Sequence, residues 1–391
     1  MKILYLTENC PRPNNYNSGI FIQKRLQEIK KRKIDFDVFC PVVEYKWDLR
    51  LLLLIMKKIR SFNKYPKSLE VDGIRYNYIV TQMNAIQFIK DYYIVYKQLE
   101  KLVIEKMKSK KFDLIHAHFA FPSGIISKNI SKQLKIPYIL TLHGTDIHTL
   151  PHRSKKLKNE ILESLENAKK CIFVSDHLRK QAIELGYSNK NSVVIPNGYD
   201  PNIFYYEDKQ EAKKKLGFKK EKLIGFVGNL IDVKNVMILP EIFRRISEKS
   251  PNTEYVIIGE GNLRKDLERH FKEYQIPVLF TGRIPQKEVG DYMRAMDVMI
   301  LPSLNEGYPC VVNEAQACGV YVIGSDRGGI PEAVFGRGSV FPLDEKFAKQ
   351  VSNKAIKLFE DKNDIHMITQ GIEQFTWKSE VKKEIALYDL Q

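Results

Sequence analysis

Glu306 and Glu314 stand eight residues apart in Pro302-Ser-Leu-Asn-Glu-Gly-Tyr-Pro-Cys-Val-Val-Asn-Glu-Ala-Gln-Ala-Cys-Gly319. The apolar run Val298-Met-Ile-Leu301 ahead of them reads as a buried strand ending at the Pro302-Ser303 step. Gly307 and Pro309 keep the intervening loop non-helical, so Glu314 is expected at least one turn into the helix that follows. Open α/β sheets bind ligands in the crevice outside the carboxyl ends of their strands. Two carboxylates there, beside the amides of Gly307 near a helix N-terminus, suit a ligand rich in hydroxyls and phosphates. A nucleotide-sugar answers that description.

Other residues could serve the same chemistry. Lys234 ends Gly228-Asn-Leu-Ile-Asp-Val-Lys234, a turn after a strand, from which an ammonium could reach a diphosphate. Gly259-Glu-Gly261 follows another strand and implies a tight turn, although a bare Gly-x-Gly is weak evidence. In Asn17-Ser-Gly-Ile-Phe21, Gly19 precedes a helix, where its amide could meet a phosphate. His116 and His118, two apart near a strand end, face the same way. That pair, or His143 with Asp146 and His148, could in principle ligate a metal, but no fourth ligand is evident. The blander reading makes these histidines hydrogen-bonded members of strand ends, Lys234 a surface lysine and the two glutamates solvated loop acids.

Taken in order, these stretches resemble the family-4 retaining glycosyltransferases of GT-B fold, of the bacterial surface-polysaccharide type. The resemblance rests on the Glu-x7-Glu loop with Gly328-Gly-Ile-Pro-Glu332, on Gly228–Lys234, Ile258-Gly-Glu-Gly261, Thr141-Leu-His-Gly-Thr-Asp146 and Ile195-Pro-Asn-Gly198, and covers nearly the whole chain. It implies that Glu314 holds the nucleotide ribose hydroxyls and Glu306 faces hydroxyls of the transferred sugar. Lys234 would meet the diphosphate and His118 the transferred sugar. Gly19, Gly261, Arg283 in Thr281-Gly-Arg283, Gly307 and Tyr308 would line the donor site, and His143 and Asp146 the cleft. Two departures stand out. Asn229 occupies the place of an arginine that usually pairs with the lysine, and Asn235 replaces a glycine. The resemblance implies no metal and no cofactor, the nucleotide-sugar (most simply a UDP-sugar) being a substrate. The expected acceptor, a lipid-linked or growing surface polysaccharide, is inferred instead from the basic first half of the chain and the segment 47–64.

The elements that must position these residues alternate. Strands are expected at Ile3–Thr7, Phe36–Cys40, Leu114–His118, Tyr138–Leu142, Cys171–Val174 and Val193–Pro196, with helices such as Phe21–Lys31, Tyr92–Lys108 and Lys155–Ala168 between them. The pattern restarts at Leu223–Val227, Glu254–Ile258, Val278–Thr281, Val298–Leu301 and Tyr321–Gly324. Alternation of this kind specifies parallel, doubly wound sheets. The expected fold class is therefore α/β, two Rossmann-like domains: residues 1–197, which would take the acceptor, and 198–375, which would take the nucleotide-sugar. The tail 376–391 reads as a closing helix, and the resemblance implies that it crosses back onto the first domain. The resemblance adds a deep cleft and a hinge near residue 198.

At 391 residues and 43% hydrophobic the chain can bury two cores. Its net charge of +16 is uneven. Residues 1–200 hold 35 Lys and Arg against 19 Asp and Glu, whereas residues 201–391 hold 28 of each. The first half thus calls for an anionic partner. Nucleic acid is not expected, because no recognised binding module accompanies the scattered charge. An anionic inner-membrane surface fits better, since Trp47–Lys64 joins an apolar block to basic residues, with Trp47, Lys57, Lys58 and Arg60 as surface contacts. The alternative is a core-packed helix with a basic edge. A strand at Lys2–Leu6 leaves no room for a signal peptide, no apolar run is long enough to span a membrane, and the five cysteines form no disulfide pattern. A cytoplasmic protein, peripheral on the membrane's inner face, is expected. Two rivals remain at this stage: a sugar-nucleotide epimerase of similar architecture, and a non-catalytic glycan- or membrane-binding relative.

Overall fold

A computed structural model describes residues 1–55, 64–86, 93–360 and 365–388. The chain forms two compact units: Met1–Ile195 with Val381–Gln391, and Pro196–Glu380. The expected boundaries at 197/198 and 375/376 therefore shift by two and five residues.

In unit 1 the described residues fold into an eight-stranded sheet, ordered β3-β4-β2-β1-β5-β6-β7-β8. The strands are β1 (Lys2–Leu6), β2 (Asp35–Tyr45), β3 (Ser68–Val71), β4 (Ile74–Met83), β5 (Leu114–His118), β6 (Tyr138–Leu142), β7 (Lys170–Phe173) and β8 (Ser192–Val194). Every residue of β5 and β6 is buried, as in parallel strands covered on both faces. One pair breaks the parallel pattern: β3 and β4 form an antiparallel hairpin. Its turn is Asp72-Gly73, both at positive φ (51° and 70°), the backbone that a two-residue hairpin loop demands and that Asp-Gly adopts readily. That signal lay unread in the sequence. The helix Ile20–Lys31 buries Ile22, Leu26 and Ile29 in the same core as β1 and β2, and Val381 and Tyr388 join that core from the other end of the chain.

In unit 2 the described residues form a six-stranded sheet, ordered β11-β10-β9-β12-β13-β14 and parallel throughout. These are β9 (Lys222–Val227), β10 (Thr253–Ile258), β11 (Leu279–Gly282), β12 (Val298–Leu301), β13 (Tyr321–Ser325) and β14 (Gly338–Phe341). Phe226, Phe243, Ile257, Ile300 and Ile323 lie in its core. The helix Trp377–Ile385 begins in unit 2, where Tyr199 N–H donates to Phe375 O and Trp377 N–H to Tyr199 O, both at 3.0 Å. A Cβ at Gly198 would lie 2.5 Å from the Trp377 nitrogen, so this crossing requires glycine. From Val381 onward the helix belongs to unit 1.

Candidate active site

Strand order reverses in unit 2 between β9 and β12, the place where doubly wound sheets take ligands. The loops leaving these two strands are tied by Leu304 N–H donating to Val233 O at 2.8 Å. Here Lys234 Nζ pairs with Glu306 Oε1, and Ser303 Oγ donates to the same oxygen at 2.8 Å. The side chains keep 20% and 13% of their surface, so the pair is accessible without being solvated like a surface ion pair. Asn235 follows at φ 50°, in the left-handed region that asparagine tolerates better than other residues with a Cβ. The replacement of glycine there is thus accommodated. Asn229 is exposed. Gly328 packs on the Glu306 backbone, where a Cβ would lie 2.2 Å from its carbonyl oxygen, and Gly329 N–H donates to that oxygen at 2.9 Å. The Gly-Gly pair therefore fixes the glutamate's main chain.

Glu314 is the fifth residue of the helix Cys310–Ala317, and Gln286 Nε2 donates to its Oε1 at 3.3 Å. Gly307 sits, half-buried, in the loop before that helix. Tyr308 is buried and its hydroxyl is 3.2 Å from Asn313 Nδ2, which also donates to Asn197 O at 3.3 Å. The Tyr308 ring thus serves the packing of the loop.

Gly259 and Gly261 have a reason for being glycine that involves no ligand. A Cβ at Gly259 would lie 1.9 Å from Gly228 O, and one at Gly261 2.0 Å from Leu230 O. Leu230 N–H donates to Glu260 O at 2.9 Å, locking the two loops backbone to backbone. Arg283 is exposed and has no hydrogen bond or ion pair among the described residues.

Unit 1 reverses strand order between β1 and β5. His116 and His118 do face the same way, with rings stacked 4.6 Å apart. Tyr388 O–H donates to Glu384 Oε1 at 2.6 Å, so its oxygen must accept from His116, whose Nδ1 lies 2.9 Å away. His116 Nε2 then accepts from Thr141 Oγ at 2.8 Å, which fixes the tautomer. Burial lowers the His116 pKa to about 4 despite Glu384, and holds His118 and His143 well below their usual range. All three are neutral imidazoles at neutral pH. Glu384 is paired with Arg25, both side chains fully buried. Burial alone would push that carboxyl up; the Arg25 charge, helped by the hydrogen bond from Tyr388, holds it below the usual carboxylate range.

His118 Nδ1 and His143 Nε2 are hydrogen-bonded at 3.0 Å. Asp146 accepts from the backbone N–H groups of Gly144 (2.8 Å), His143 (3.2 Å) and Ala120 (3.3 Å), clamping the ends of β5 and β6 together. Burial nevertheless raises its pKa to about 6. The His148 ring lies against His177, and among the described residues no group of three His, Cys, Asp or Glu side chains converges on a metal position. Gly19, at φ 69°, precedes the helix Ile20–Lys31 with its missing Cβ replaced by Asn9 O. Sequence reasoning missed Ser303, Gln286, Arg25, Glu384 and Tyr388. Only the last two left a trace, the i, i+4 spacing that puts them on one helix face.

The helix Trp47–Ile55 buries Leu49 and Leu53 and exposes Trp47 (77%), Leu51 (53%) and Leu54 (47%). Lys57, Lys58 and Arg60 lie outside the described residues. Among the described residues no helix is long and apolar enough to cross a membrane.

Comparison with known proteins gives this geometry its context. The model for glycosyl transferases group 1 matches residues 208–375, and that for Glycosyltransferase Family 4 matches residues 26–203. TuaC of Bacillus subtilis (strain 168), a glycosyltransferase named for teichuronic acid biosynthesis, is 31% identical over 392 residues, 98% of this chain and 92% of its own length. The UDP-Gal:alpha-D-GlcNAc-diphosphoundecaprenol alpha-1,3-galactosyltransferase of Escherichia coli is 30% identical over 273 residues, 66% of this chain and 68% of its own. The structure of Anabaena HepE in complex with UDP matches with a TM-score of 0.75 at 18% identity, covering 100% of both chains. The chain therefore belongs to the family-4, group 1 glycosyltransferases of GT-B fold, hexosyltransferase-type enzymes that move a sugar from a nucleotide-sugar donor.

Proposed function

We propose that this chain is a retaining, metal-independent transferase that moves a hexose from a UDP-sugar to a lipid-linked, growing surface polysaccharide. The observation that carries the reading is the meeting of Lys234, Ser303 and Glu306 at the β9/β12 switch point, with Glu314 on the helix that follows. Charge gathers on the departing diphosphate as the anomeric bond loosens. A fixed ammonium and loop amides aimed at that charge supply the preorganised electrostatics on which such catalysis depends. Lys234 takes that role here, with the Gly307 amide, and Asn229 contributes a neutral donor where an arginine would add charge. Glu306 accepts from hydroxyls of the transferred sugar and Glu314 from the vicinal ribose hydroxyls, as charge-assisted bonds. The acceptor hydroxyl attacks from the leaving-group face and passes its proton to the departing phosphate, so no enzyme nucleophile is called for.

The HepE complex with UDP supports the choice of nucleotide, and the Escherichia coli relative, named for a sugar-diphosphoundecaprenol acceptor, supports the class of acceptor. TuaC supports the surface-polysaccharide context. Unit 1 takes the acceptor in this reading, with His143 and Asp146 at its strand ends and His118 set beside the transferred sugar. The membrane reading draws on the outward apolar row Trp47, Leu51 and Leu54 and on the excess of basic residues in the first half of the chain. Two of the three are four apart and the third three further on, which is the spacing of one helix face.

The deciding experiment is a calorimetric and hydrolysis screen of UDP-, GDP- and ADP-sugars with EDTA present. Binding and slow hydrolysis of a UDP-sugar support the reading, and binding of none of them removes it. Vesicles containing anionic lipid test the membrane contact. Charge removal at Lys57, Lys58 and Arg60 should weaken vesicle binding at low salt, and unchanged binding would retire the contact.

A further inference from the structure

Unit 1 holds a carboxyl to which the reading above gives no task. Glu8 lies two residues beyond β1, at the β1/β5 switch point, and Ser123 lies in the turn beyond β5. Ser123 Oγ donates to Glu8 Oε2 at 2.7 Å. Ser123 is fully buried, whereas Glu8 keeps part of its surface open. The carboxyl is thus anchored by a buried hydroxyl, on a residue that is not itself fully covered.

A second observation at the ends of β5 and β6 points to a ligand. His118 Nε2 and His143 Nδ1 are buried and have no hydrogen-bond partner among the described residues. Because the two rings are neutral and bonded to each other, one of these end nitrogens carries a proton and the other a lone pair. A buried donor and a buried acceptor left unmatched are costly, and sugar hydroxyls, which donate and accept, would satisfy both.

We propose that Glu8, held by Ser123, is a contact for a hydroxyl of the acceptor sugar, with the His118–His143 pair supplying the neighbouring polar wall. The proposal rests on the glycosyltransferase reading and on its assignment of the acceptor to unit 1. Burial pushes the Glu8 carboxyl up to about 8; Asp146 adds to the rise, while Ser123 and Arg12 oppose it. The Cys40 thiol on β2, which also feels the Glu8 charge, is neutral at pH 7. Glu8 is therefore a neutral acid at that pH and donates an O–H, which a carboxylate cannot do. Donation to a non-reacting hydroxyl orients the sugar and leaves the nucleophile's lone pair untouched. No bond is made or broken at Glu8.

The test uses calorimetry with UDP present and, as probe, N-acetylglucosamine joined through diphosphate to a decyl chain. Wild type, Glu8→Gln, Glu8→Ala and Ser123→Ala are compared. Glu8→Ala should weaken probe binding about tenfold and Ser123→Ala about threefold, with UDP affinity within about twofold throughout. Wild-type affinity for the probe should fall as pH rises through about 8. Glu8→Gln, which still donates and barely changes shape, should bind the probe near wild-type strength and show no such fall. Failure of the wild type to bind the probe, equal binding by Glu8→Ala, or the same pH profile in Glu8→Gln would each overturn the proposal. If UDP-sugars bind and the probe does not discriminate, this inference alone is lost. If UDP-sugars do not bind the wild type, the proposed function goes with it.

Discussion

The Tyr388 hydroxyl lies 2.9 Å from Nδ1 of His116 and 2.6 Å from the hydroxyl of Tyr5, although 272 residues separate it from the first and 383 from the second. One phenol thus joins the final helical segment to the two central strands of unit 1. It stands between a carboxylate that can only accept and an imidazole that must donate, so its removal disturbs both.

Tyr388→Phe should lower unfolding free energy by about 1–3 kcal/mol, because His116 Nδ1–H and Glu384 each lose a buried partner. Urea denaturation measures this. A change below about 0.5 kcal/mol would mean that the network reorganises around the loss.

Arg25 and Glu384 form a fully buried ion pair. Arg25→Met or Glu384→Leu alone should cost about 3–5 kcal/mol, since each strands one buried charge. The double variant should be clearly more stable than the sum of the singles implies. Additive losses in the double-mutant cycle would deny the coupling.

Stability should fall on mild acidification. A free histidine gains its proton near pH 6.5, whereas burial delays protonation of folded His116 to about pH 4. The unfolded chain therefore binds more protons between these values, and acid favours it. His116 alone contributes about 2 kcal/mol of loss by pH 5. Melting temperature against pH reads this out, and His116→Gln should flatten the slope between pH 6.5 and 5.

Lys234→Ala should lower kcat by about 10²–10³-fold, the scale for removal of one preorganised partner of a developing charge. Glu314→Ala should instead weaken UDP-sugar binding by about ten- to a hundredfold with a smaller change in turnover. Single-turnover kinetics separate the two effects. Normal turnover in the Lys234 variant would remove that lysine from the mechanism.

Gly259→Ala should destabilise unit 2 by more than about 2 kcal/mol, because its methyl would fall on the Gly228 carbonyl at a backbone angle (φ 139°) that alanine avoids. Gly336→Ala is the control. It shares a positive φ (73°) but has no atom within 4 Å, so only about 1 kcal/mol of backbone strain is expected. Thermal unfolding of the two variants compares them.

The strands that carry the candidate site were legible because their apolar runs are continuous, and Leu114–His118, Tyr138–Leu142 and Val298–Leu301 match the expected bounds residue for residue. The hairpin β3–β4 and the edge strand β14 were not anticipated. Ser68–Val71 and Gly338–Phe341 are four-residue edge strands, and Ile74–Met83 largely alternates buried with more open positions, so none shows the continuous apolar run of the central strands. The site showed a similar split. Glu306, Glu314 and Lys234 stand in short local patterns, whereas Gln286 reaches Glu314 across 28 residues and Ser123 reaches Glu8 across 115. Such partnerships follow from topology, and no local spacing encodes them.

The crossing of the helix Trp377–Ile385 between the units has a consequence for biosynthesis. Unit 1 begins at the first residue, yet Val381 and Tyr388 fill its core and Glu384 neutralises its buried Arg25. On the ribosome, all of Pro196–Glu380 is therefore made before the earlier unit can close. Until then a charged guanidinium and an open apolar seam wait on a nascent chain.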